Sequence, residues 1–208
     1  MDDQRHGAHL MPAANFQALI ASVAAAASEQ SAQWNSADKN ASITLSNSDR
    51  DATGGSLVSV RSILGRSSGK YYFEITMLTG SASHVVGFAN GSFALSTYPG
   101  NGASSAGHTS GGNFVNTWTK AQAGTFTLAA NDVVGFAIDL TAGKAWVAKN
   151  NTWQLTGDPA AGTNEWVSGI TGTVYPAAAP SSNSSRIHTK TAELTYSPPS
   201  GFSQWAAA

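Results

Sequence analysis

Hydrophobic and polar positions change their rhythm once along this chain. Between residues 13 and 28 there is no glycine or proline and much alanine, and Phe16, Leu19, Ile20 and Val23 fall at i, i+3, i+4 and i+7. That spacing places them on one stripe of a helix. The predicted arm, residues 1–33, carries only two turns of stripe, and helices that short are marginal alone in water. The stripe therefore calls for a surface, either its own domain or a neighbouring subunit. From Trp34 onward the period becomes two. Alternating runs predict strands at 42–46, 56–64, 70–78, 84–90, 132–140, 144–149, 152–155, 172–179 and 191–196. Val134, Phe136, Ile138 and Leu140 share one face of their strand, and Thr141-Ala142-Gly143 turns it back into a hairpin. Residues 47–55 and 65–69 read as polar turns. Residues 91–125 read as a long loop of Gly, Ser, Asn and Thr that carries Phe93, Tyr98, His108, Phe114 and Trp118. Short strands, turns between them and no helical period after residue 33 predict an all-β antiparallel sandwich over 34–208.

Several runs, in order, resemble the SPRY (B30.2-like) domain family in a bacterial or phage-type form. Gly69-Lys70-Tyr71-Tyr72-Phe73-Glu74-Ile75 is similar to its GKYYFE strand, and Val86-Gly87-Phe88-Ala89 to the VGxA strand that follows. Residues 131–140, NDVVGFAIDL, resemble GDVVGxAxDL, with Asn131 at the glycine. Residues 143–153, GKAWVAKNNTW, resemble GKxWFxKNGxW, with Asn151 at the glycine. Asparagine is the next-best residue for a positive-φ turn. Gly157-Asp158-Pro159 with Gly162, Tyr175-Pro176-Ala177, and Tyr196 with Pro198 and Gly201-Phe202 complete the series. The family's Asn-Phe-Gly step before the last strand is missing, and residues 186–194 stand there instead. The resemblance implies a bent β-sandwich that binds proteins or peptides through loops at one end, without catalysis and without a cofactor.

Composition narrows the partner. Charged residues are 11% of the 208, with 11 Lys+Arg against 12 Asp+Glu, a net charge of -1. Such a chain cannot neutralise a row of phosphates and has no polybasic patch, which argues against nucleic acid and against an anionic membrane surface. No run of 18 apolar residues exists. Residues 18–27 are weakly apolar but follow Asp2 and Asp3 rather than a basic cluster, a poor signal peptide. There is no cysteine, so the fold needs no disulfide, as a core of this size allows.

Candidate chemistry is sparse. None of the five histidines, His6, His9, His84, His108 and His188, lies in a G-x-S-x-G elbow. Asn47, Asp49 and Asp51 alternate like the start of a calcium loop, but Ala52 and Val58 stand where that template needs Gly and Glu. Glu74, inside an apolar strand, is expected to be structural. No metal site is expected. The reading is a non-catalytic protein-interaction module working as a surface component of a large assembly, such as the capsid decoration or tail of a bacteriophage virion. Its partner would be a neighbouring subunit, in a homo-oligomer or otherwise, or a peptide segment. A cytoplasmic peptide-binding adaptor and, more weakly, a carbohydrate-binding sandwich are the alternatives. Tyr98, His108, Asn113, Phe114, Trp118 and Trp166 are the candidate contacts, because aromatics among small polar residues suit interfaces. For Phe114 and Trp118, ordinary packing is the stronger expectation.

Overall fold

The computed structural model describes residues 32–206 except 81–82, 110–111, 117 and 121–125, and only the backbone of 113–116 and 120. The expected helical arm, with Phe16, Leu19, Ile20 and Val23, lies outside the described residues. Within them there is no α-helix, and two sheets face each other. Strands are numbered along the chain. The first sheet runs β1 (Trp34–Lys39), β4 (Val60–Ser62), β14 (Val174–Ala179), β6 (Val85–Asn90), β7 (Ser105–Thr109), β8 (Gly112–Asn116). The second runs β2 (Ile43–Ser46), β3 (Asp51–Gly54), β15 (Ser184–His188), β5 (Lys70–Met77), β10 (Val133–Asp139), β11 (Lys144–Lys149), β13 (Val167–Ser168), β9 (Thr119–Lys120). The short β12 (Thr152–Trp153) pairs with β11, and β16 (Ser203–Gln204) runs parallel to β5. The other pairings are antiparallel.

Period-two alternation builds the core between the sheets. Val86 and Phe88 of β6 meet Phe73 and Ile75 of β5 and Val134, Phe136 and Ile138 of β10. Phe73 stacks on Phe136 with ring centroids 5.0 Å apart. The opposite face of β5, β10 and β11 is also covered. Tyr72, Ala137 and Trp146 lie there beneath Phe202, with Trp153 and Leu194 half-buried beside them. Trp146 is thus buried, but outside the intersheet core.

The structure corrects the sequence reading in several stretches. β1, β13, β15 and β16 lie outside the predicted strands, and 152–155 is β12 followed by a 3-10 turn over Gln154–Thr156. Strand 56–64 shortens to β4. The polar run 47–55 contains β3, which pairs between β2 and β15, where its Asp51 carboxylate receives the Arg186 guanidinium of β15 at 2.6 and 2.8 Å. The loop 91–125 contains β7, β8 and β9. Residues 191–196 are turns rather than a strand, because the Glu74 carboxylate accepts the N–H groups of Thr195 and Tyr196 at 2.7 and 2.9 Å and takes them out of any ladder. Glu74 is fully buried and also accepts the Tyr72 hydroxyl at 2.9 Å.

Candidate interaction surface

Residues 91–104 leave β6 and fold back across the outer face of the first sheet. Gly107 makes that approach feasible. Gly87 and Gly107 are register partners in β6 and β7. A Cβ on Gly107 would collide with the Pro99 carbonyl oxygen and come within 2.7 Å of Val85 Cγ1. Phe93 fills the space over Ala89 and Ala177, with Leu95 beside it. Polar bonds pin the rest. Arg61 donates from Nη1 to the carbonyls of Asn90 and Phe93 at 2.7 and 3.0 Å, while its Nε and Nη2 grip Asp38 at 2.8 and 2.9 Å. The guanidinium is buried, so this pairing offsets what its desolvation costs. Ser59 donates its N–H to Leu95 O at 2.9 Å and its hydroxyl to Thr97 O at 2.5 Å.

The folded-back loop brings Tyr98 to one end of the sandwich. Four segments meet there, 40–42, 55–59, 96–101 and 180–183. Gly55 N–H donates to Ser42 O at 3.1 Å, Ser182 N–H to Gly55 O at 3.0 Å, and Ser59 ties to the returning loop. None of the four segments contains Asp, Glu, Lys or Arg. The adjacent Lys39 turns its ammonium onto Ile43 O at 2.7 Å. Leu57 stands out of this neutral end, 38% exposed and with φ of 54°. A non-glycine residue held in the left-handed region costs of order 1–3 kcal/mol. Leu155 shares that angle, and Leu57 differs from it in being exposed as well. Tyr98 is half-buried and follows Thr97, whose carbonyl Ser59 holds at this end.

The candidate contacts read from sequence divide between this end and the core. His108 lies in β7, opposite Val86, at the same end as Tyr98, but its ring is buried and stacks on Phe126 at 3.6 Å. Burial pulls its pKa down to about 3, so it is a neutral interior ring. Asn113 pairs with His108 and Phe114 with Gly107 in β8, where the backbone alone is described. Trp118 and Trp166 are buried and flank Phe88 at 5.5 and 5.9 Å. Either would have to leave the core to touch a partner. Sequence reading missed Leu57, whose signal was a lone leucine in Gly-Gly-Ser-Leu-Val-Ser. It also missed Ser59 and Arg61, which hold the returning loop.

Other chemistry is poorly supported by the geometry. Asp51, the last residue of the calcium-like run, is occupied by Arg186. Burial works to raise its pKa, but the Arg186 pair, the Asn47 amide and the Arg50 charge together lower it. Among the described residues no three His, Cys, Asp or Glu side chains gather as a metal site. Thr76 Oγ1 and His188 Nε2 are 2.9 Å apart across β5 and β15. The other ring nitrogen of His188 is buried without a partner, so no carboxylate orients it as a base.

Comparison with known proteins agrees with this fold. The SPRY domain family matches residues 70–191. Solved structures share the fold. A human SPRY domain covers 71% of this chain and 94% of its own, at 16% identity and a TM-score of 0.52. The SPRY domain of human HERC1 covers 79% and 99%, at 15% identity and 0.56. The TRIM65 PSpry domain covers 82% and 98%, at 13% identity and 0.58. No curated protein sequence matches the chain.

Proposed function

Since the chain belongs to the SPRY domain family, whose members are generally protein-interaction modules, we propose that it binds a protein partner non-catalytically through the uncharged end around Leu57 and Tyr98. The exposed, backbone-strained Leu57 carries this reading. An apolar side chain displayed at such a cost gains its return when a partner covers it. The neutral loops around it suit a partner segment that is itself apolar or polar but uncharged. A displayed peptide library tests this. The chain enriches a defined sequence class, and a Leu57→Gly, Tyr98→Ala variant enriches none. If both proteins enrich the same peptides, the site lies elsewhere. If neither enriches a peptide while a glycan array responds, the carbohydrate reading takes its place.

The finer reading, a surface component of a large assembly such as a bacteriophage particle, draws its support from composition. With 11% charged residues and no cysteine, the surface is neutral and indifferent to redox conditions. Co-sedimentation of the chain with assembled particles, lost in the same double variant, is the outcome expected of that role.

A further inference from the structure

Among the described residues two large apolar side chains are exposed, Leu57 and Ile63, and they stand at opposite ends of the sandwich. Leu57 belongs to the surface already described. Ile63, 37% exposed, follows β4 at the far end, and its N–H donates to Gln33 O at 2.8 Å. Gln33 adjoins the point where the N-terminal residues join the domain. Ala32 is buried there and exchanges two 3.2 Å hydrogen bonds with the Thr189 hydroxyl, so the exit is fixed. Two half-buried apolar side chains, Leu64 and Tyr175, belong to the same end. Leu64 packs partly into the core, and the Tyr175 ring lies against Gly65 and beneath the Arg61 guanidinium, 5.8 Å from its centroid.

We infer that this patch is the seat of the chain's own N-terminal stripe, Phe16, Leu19, Ile20 and Val23. A helix carrying so short a stripe is marginal alone in water and would be stabilised by an apolar surface. Eight residues, 24–31, separate Val23 from Ala32, a tether that spans up to about 27 Å when extended. Ile63 lies one hydrogen bond from the end of that tether. Contact with the same chain keeps the effective concentration of the stripe high without a second subunit. It also leaves the Leu57 end free, so this contact and the binding reading stand or fall separately.

Limited chymotrypsin digestion of the full chain tests the contact, read as the rate of cleavage after Phe16 with light-scattering mass in parallel. Ile63→Ser and Ile20→Ser are each expected to speed cleavage about tenfold, with Ile63→Val close to wild type and every protein monomeric. Ile63 is exposed, so its variants should keep the domain's melting temperature. Equal cleavage rates in all four proteins would overturn the inference. So would a wild-type dimer that becomes monomeric in both serine variants, since the stripe would then sit on a second copy.

Discussion

Single residues decide how tightly this sandwich can be covered. Gly107 has no room for a methyl group because the returning loop's Pro99 carbonyl occupies it. Gly107→Ala is expected to cost about 1–3 kcal/mol in urea unfolding, as overpacking does. Leu57 should behave in the opposite way. Leu57→Gly relieves its φ of 54° and should leave stability level or raise it by up to about 1 kcal/mol, while partner binding falls. Glu74→Ala would strand the Thr195 and Tyr196 N–H groups and the Tyr72 hydroxyl, at about 1–3 kcal/mol for each left buried. The buried histidines set the response to acid. Burial lowers His84 to about 4, against a small opposing effect of the Thr79 backbone, and His108 to about 3. Above about pH 6.5 both rings are neutral in folded and unfolded chains alike. As pH drops below that, the unfolded chain takes up protons that the fold refuses until about 4 and 3, so stability falls through this window. Each unit of separation is worth about 1.4 kcal/mol, a large part of a typical domain's stability. Denaturant midpoints from pH 7.5 down to 4.5 should fall steeply in wild type and less steeply in His108→Leu. Parallel slopes would remove His108 from the explanation.

At the scale of elements, strands buried on both faces or paired in long hairpins were legible in the chain. β5, β6, β10 and β11 stand within a residue or two of where alternation put them. What escaped was set by tertiary partners. β3 is polar and short, and pairs because β2 and β15 flank it. The stretch 191–196 has strand-like residues, yet the Glu74 carboxylate takes its N–H groups. β7 is small and glycine-containing, a pattern that reads as loop until Gly107 is seen to admit Pro99. The candidate contacts divided for the same reason. Aromaticity and a polar neighbourhood describe both a binding residue and a core residue under a loop, and Trp118 and Trp166 proved to flank Phe88. Leu57 escaped because a lone leucine among small residues signals neither its backbone angle nor its exposure. The returning loop is itself testable as an element. Arg61→Met leaves Asp38 and the Asn90 and Phe93 carbonyls without their donor, and residues 91–104 should then exchange amide hydrogen faster than β6 beneath them.

For the whole molecule, the arrangement is axial. The fixed exit at Ala32 and exposed Ile63 lie at one end, and the uncharged segments with Leu57 and Tyr98 at the other. Lys70–Asp139 and Lys144–Glu165 lie at the other end, while Arg61–Asp38 and Arg186–Asp51, nearer the uncharged segments, are each internally paired. Binding there should depend little on salt, changing by less than about threefold between 0.05 and 0.5 M, where a charged interface would be screened. The most direct measurement is calorimetric titration of a library-selected peptide into wild type, Leu57→Gly and Tyr98→Ala, each paired with a melting curve. Loss of about tenfold or more in affinity in each variant, with Leu57→Gly melting no lower than wild type, is the expected result. Unchanged affinity in both variants would contradict a binding surface at this end.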